Sequence, residues 1–144
     1  MRDLDIVTHV SVERARAGRY HYLHESAMDY HKGTLYLGWA NHHEYEINHS
    51  DELIRGRKST DGGLTWSPAE VWAARGTAGG ESYNHPVIFS HAGTLWGFFT
   101  HWKDRKNRTE IFQLNEATGQ WQPVGSNIPD FLPFGRPIKL RDGN

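Results

Sequence analysis

Short runs of β-branched, aromatic and aliphatic residues punctuate this chain and are separated by clusters of Gly, Asn, Asp, His and Ser. Long helix-forming runs are few, so the pattern predicts strands joined by turns. Residues 6–12 are rich in β-branched side chains and predict a strand with no visible hairpin partner, followed by a charged segment over 13–19. From Tyr22 the chain pairs up. Residues 25–30 predict a strand, His31-Lys32-Gly33 a turn, and residues 34–40 a strand buried on both faces. Residues 41–52 are too polar for a core and read as a loop. Strands are then predicted over 53–58 and 69–73.

The same order recurs. Residues 83–89 and 94–100 predict strands around the turn Ser90-His91-Ala92-Gly93, with a polar loop over 101–107 and a strand over 109–114. Gly33-Thr34-Leu35 and Gly93-Thr94-Leu95 lie 60 residues apart, and Trp66 and Trp121 lie 55 apart. A period of that size with four strands per unit predicts the blades of a β-propeller. The expected fold is therefore all-β: a partial propeller of four-stranded antiparallel blades, with blade 1 about 22–73, blade 2 about 83–125 and the start of a third over 134–144. A ring needs about four to eight blades, so the chain reads as an N-terminal fragment whose remaining blades lie beyond it.

Between the strands ending near 58 and starting near 69 stands Ser59-Thr60-Asp61-Gly62-Gly63-Leu64-Thr65-Trp66. Asp61 can cap its own turn, the glycines accept positive φ, and Trp66 is placed to fold back over the hairpin it closes. Composition adds little against this. The 144 residues carry a formal charge of −1 and no cysteine, which gives no bias toward nucleic acid or anionic membrane and removes disulfides and thiolate metal sites. No apolar run approaches the ~18 residues of a membrane helix, and Met1-Arg2-Asp3-Leu4-Asp5 is no export signal.

All eight positions of the Ser59–Trp66 string resemble the Asp-box, the bacterial neuraminidase repeat, and with its flanks the motif looks like the sialidase superfamily. The motif residues Ser59, Asp61, Gly63, Thr65 and Trp66 are structural in that reading: the box joins the third and fourth strands of a blade, away from the active site. The second copy, Asn115-Glu116-Ala117-Thr118-Gly119-Gln120-Trp121, is degenerate. The resemblance implies a six-bladed propeller and an exo-acting glycoside hydrolase on a terminal sugar such as sialic acid. A non-catalytic propeller binding glycan or protein is the alternative. It implies a secreted or periplasmic protein, while the sequence leaves the cytoplasm open, and a carbohydrate or glycoconjugate as partner, with no cofactor.

Alternating strands bring inner-strand starts and second-to-third loops to one face. There the substrate-binding candidates are His24, Glu25, His42, His43, Asn84, His85, His101 and Arg136, with His24, Glu46, His85, His101 and Arg136 expected around a common cleft opposite Asp61. Pro86 is expected to hold His85 extended, and Trp102 to line a pocket. Glu44 and Glu46 stand about where the family's acid would be, and a partly buried carboxyl suits general acid work. The family's Asp is missing, and the family's Arg is replaced by Tyr22-Leu23-His24. His42-His43-x-x-Glu46-x-x-His49 also reads as a metal cluster, but loop spacing favours a polar substrate-facing loop, and no metal is expected.

Overall fold

The structure is a computed structural model that describes residues 8–44, 51–75, 80–138 and 140–141. Eight strands form two four-stranded antiparallel sheets, and the described residues contain no helix. The first sheet comprises β1 (Tyr22–His31), β2 (Thr34–His42), β3 (Leu53–Ser59) and β4 (Glu70–Ala73). The second comprises β5 (Glu81–His91), β6 (Thr94–Lys103), β7 (Lys106–Asn115) and β8 (Gln120–Pro129). Each sheet is an up-and-down meander in chain order.

The 60-residue repeat is written into the backbone. Lys32-Gly33 and Ala92-Gly93 both take left-handed φ, 46° and 87° in the first pair and 48° and 78° in the second. Two-residue turns of that kind match the twist of the strands they join. Glu25 (φ 53°) and His85 (φ 45°) form a third such pair, each inside a bulge of its sheet's first strand.

The Ser59–Trp66 turn is tied by side chains. Ser59 Oγ donates to Asp61 Oδ1 (2.8 Å) and accepts from Gly63 N (2.8 Å), and Thr65 N and Oγ1 donate to the two Asp61 oxygens at 2.9 and 2.5 Å. Bonds from the Thr65 side chain, the Thr65 amide and Ser59 hold the Asp61 carboxyl at about 2. At the tip between β7 and β8, Asn115 does comparable work, accepting from the amides of Ala117 (3.0 Å) and Thr118 (3.2 Å). Glu116 instead reaches the first sheet, at 2.6 Å from Lys32 Nζ and 3.1 Å from His31 Nε2. Trp66 and Trp121, which the spacing pairs, also differ. Trp66 is half-buried and donates to Gly63 O (2.9 Å), whereas Trp121 is a buried β8 residue 5.2 Å from Trp72 and 5.5 Å from Phe99.

The sheets pack face to face, with β5 against β1, β2 and β3. Ala40, Ile54, Trp72 and Ala73 meet Ile88, Leu95, Phe99, Phe112, Leu114 and Trp121 in one apolar core. Trp72 lies flat across two glycines, so a Cβ at Gly38 or Gly56 would come within 2.4 or 2.1 Å of its ring. Trp39 is buried as the strand pattern implies, while Trp96 is half-buried.

Four expectations are corrected. Residues 8–12 are irregular rather than strand, and Ile6 and Val7 lie outside the described residues. β-Branched residues without a neighbouring strand edge gain little from extended pairing, and this segment is held by side chains instead, with Glu13 on Arg57 at 2.9 Å. Residues 41–52 are not all loop. Asn41 and His42 end β2, and both are buried, as is Glu52, because each is paired: Asn41 Oδ1 accepts from Trp39 Nε1 (3.2 Å), and His42 Nε2 meets Asp51 Oδ1 (2.8 Å). The loop expected over 101–107 is a two-residue tip, Asp104-Arg105, with φ of 49° and 62°. The described part of 134–144 is irregular, and Asp142-Gly143 lies outside it.

A methyl group added under Trp72 has nowhere to go. Gly56→Ala should lower the stability measured by urea denaturation by about 1–3 kcal/mol, and the penalty should shrink when Trp72→Leu is already in place.

Candidate functional site

The register places the Ser59–Trp66 turn and the starts of the inner strands at opposite ends of the first sheet: Leu35 pairs with Ser59, while His24 pairs with Ala40 and Asn41 with Leu53. At the inner-strand end the two bulges meet. His85 donates its backbone N–H to Glu25 Oε2 (2.8 Å), and its Nε2 lies 2.5 Å from Glu25 Oε1. A left-handed φ at a non-glycine residue costs of order 1–3 kcal/mol. Here the two such residues bond each other, so each helps hold the other's conformation. His85 is therefore not extended as Pro86 suggested. The proline disfavours the right-handed helical region for its predecessor, and the bond to Glu25 selects the left-handed one.

Around this pair stands a connected polar group. Glu52, fully buried just before β3, takes His24 Nε2 on one oxygen (2.8 Å) and Asn84 Nδ2 on the other (3.3 Å), and its carbonyl accepts from Tyr83 N (3.0 Å). His24 Nδ1 lies 3.5 Å from Glu25 Oε2. Asn84 Oδ1 meets His85 Nδ1 (2.8 Å) and accepts from Trp102 Nε1 (2.8 Å), which puts Trp102 in the group. Phe134 packs edge-on against the His85 ring at 4.8 Å.

Burial opposes charge on both His24 and Glu25, and hydrogen bonding overrides it. Bonds to Glu25 and Glu52 raise His24 to about 9. Bonds from His24 and His85 lower Glu25 to about 2. At neutral pH the group thus holds an imidazolium against a carboxylate. Beside it lies a cleft of about 390 Å³, bordered by His24, Glu25 and Ser26, with the irregular segment 10–13 as one wall and Leu23, Leu37 and Trp39 as the apolar part of the other. That size falls in the ~300–1,000 Å³ range of small-molecule sites.

The other expected residues go elsewhere. His42 pairs with Asp51, and Glu44 donates its amide to His42 Nδ1 (3.1 Å). His43 is exposed, stacks on Tyr20 at 4.6 Å and binds Arg19 O. His101 points to the other face of β5 and β6, where it meets Glu81 (2.9 Å) and the Tyr83 ring (5.2 Å), and burial lowers its pKa. Arg136 lies over Phe89 (5.3 Å) and 3.5 Å from Asp29, four residues further along β1 than Glu25. Glu46 and His49 lie outside the described residues; among the described residues no three His, Asp or Glu side chains are grouped to hold a metal ion. Glu52 was missed because it reads as one more acid in a polar loop. Its place one residue before β3, across from the start of β1, was the available signal.

The two meanders and the polar group between their first strands have structural relatives. The sialidase of Trypanosoma rangeli in complex with sialic acid matches with a TM-score of 0.56 at 10% identity, over 79% of this chain and 23% of that one. The fold is sialidase-like. A mutant of the same sialidase displaying trans-sialidase activity matches with a TM-score of 0.55 at 12% identity, over 82% of this chain and 23% of that one. This chain thus spans about a quarter of the length of the sialidase-like chains it matches. No family model matches the sequence, and no curated protein does.

The charge on His24 makes stability depend on pH. Its folded-state value of about 9 lies above the ordinary 6.5, so its contribution is full below 6.5 and is lost as pH rises through 9. The melting temperature should therefore fall between pH 6.5 and 9, and His24→Gln should flatten that slope; an unchanged slope in the variant overturns the assignment.

Proposed function

We propose that this chain holds the terminal sugar of a glycan in the cleft beside His24 and Glu25, as part of a sialidase-like glycoside hydrolase. The observation that carries the reading is that the cleft is bordered by Glu25, one member of the mutually bonded, left-handed pair Glu25 and His85. Strained non-glycine residues held by their surroundings cluster at functional sites. In this reading the two sheets are successive propeller blades and the Ser59–Trp66 turn is an Asp-box, which serves stability. Asn84 and His85 position Glu25, and the apolar lining receives one face of the sugar ring.

The acid of such a reaction needs a carboxyl that carries a proton near neutral pH. Glu25 is held ionised, and we assign the role to Glu44 or Glu46, which follow β2 in sequence. A second reading, glycan binding without turnover, is favoured by that same feature: a carboxylate locked between two histidines is arranged to accept sugar hydroxyls rather than to give up a proton. No arginine stands at Tyr22-Leu23-His24, and His24 supplies the positive charge there, already shared by two carboxylates.

Ligand-observed NMR with sialic acid and neutral monosaccharides, followed by assays on the corresponding aryl glycosides, tests both readings. Ser26→Trp, which fills the exposed margin of the cleft, should weaken sugar binding at least about tenfold with little change in melting temperature. Asp61→Ala should lower the melting temperature and leave binding intact. Turnover lost in Glu44→Gln or Glu46→Gln supports the hydrolase; binding without turnover supports the second reading; equal binding by Ser26→Trp removes the site.

A further inference from the structure

Between the irregular segment before β1 and the face of the first sheet turned away from the second lies another cavity, of about 310 Å³. Arg14, Arg16 and Arg19 reach it from the segment, and Arg55 and Arg57 from β3, with Glu13 as the one acid lining it. Five guanidinium groups against one carboxylate is a large local excess in a chain whose formal net charge is −1. Glu13 is already taken by Arg57 at 2.9 Å. The side chains of Arg16 and Arg19 make no hydrogen bond or ion pair with any described residue.

The inner arginines are only partly satisfied. Arg57 donates to Ser67 O and Glu13, but its Nε–H is buried with no partner among the described residues. Arg55 lies over the Tyr20 ring at 5.1 Å and reaches Ala69 O only at 3.5 Å. A buried donor without an acceptor costs about 1–3 kcal/mol, and converging like charges repel. An anion entering the pocket relieves that repulsion.

We propose that this pocket binds a tetrahedral oxyanion, sulfate or phosphate, either free or as a monoester. A carboxylate brings two oxygens and one charge. A sulfate brings four oxygens and two charges, which better matches fork-shaped donors arriving from both walls. The site is independent of the sugar cleft, which it meets only at Glu13 and Leu23, so failure of the sugar experiments does not bear on it.

The test is isothermal titration of the full chain, in low-chloride buffer, with sodium sulfate, sodium phosphate, methyl sulfate and sodium acetate. Saturable sulfate or phosphate binding is expected, with acetate at least about tenfold weaker. Arg16→Gln with Arg19→Gln touches no described partner and should weaken sulfate binding by about tenfold or more. The charge-matched control Arg105→Gln with Lys106→Gln, at the tip between β6 and β7, should leave it within about twofold. Methyl sulfate binding like sulfate assigns the site to esters, and sulfate alone assigns it to the free anion. Absence of saturable binding, acetate binding as tightly as sulfate, or equal losses in the two double variants would overturn the proposal.

Discussion

A carboxylate with almost no contact with water has to be met by protein groups, and Glu52 sets that condition for the whole inner end of the molecule. It is 1% exposed, and removing one partner of a buried charge is far more costly than the pair is worth. Its two oxygens bind one residue from each sheet, His24 and Asn84, and its carbonyl takes the amide of Tyr83. Apolar packing around Trp72 drives the sheets together, but apolar contact alone tolerates sliding. The Glu52 bonds do not. The bulges at Glu25 and His85 follow from the same demand, since they bring Glu25 round to His85 beside it.

Much of this was legible because it repeats. Gly33 and Gly93 announce two-residue turns, and the strands on either side follow from the turns. What escaped was polar burial. Asn41, His42 and Glu52 read as loop because a polar run ordinarily stays in water; here each finds a partner, Trp39 for Asn41, Asp51 for His42 and His24 with Asn84 for Glu52, and sequence does not display such pairings. The short tip at Asp104-Arg105 escaped for a related reason. Neither residue is glycine, yet both adopt left-handed φ, and the signal for a tight turn was absent.

The candidate site was half legible. Inner-strand starts gave His24, Glu25, Asn84 and His85, which the fold does bring together, because strand alternation assigns ends reliably. It does not assign faces where a bulge intervenes or a segment is irregular. His101 therefore joins Glu81 and Tyr83, and Arg136 joins Asp29 and Phe89. Trp66 and Trp121 teach the same point. Their spacing suggested one role, but Asn115 rather than Glu116 closes the second hairpin, and the tryptophan that follows is released to pack in the core.

The meander order of the strands has a consequence for how the chain acquires its shape. Within each sheet every strand bonds its neighbour in sequence, so closing each hairpin costs little chain entropy. Between the sheets the bonds of Glu52, Glu25 and Glu116 join residues 32 to 85 apart in sequence. From the separation of their partners, the meanders are expected to form before the polar seam closes, an order that pulsed hydrogen exchange would read. The seam then acts as a proofreading step. Two meanders docked out of register would still bury their apolar faces, but Glu52, Glu25 and Glu116 would lack their partners on the other sheet, a cost that the native docking avoids.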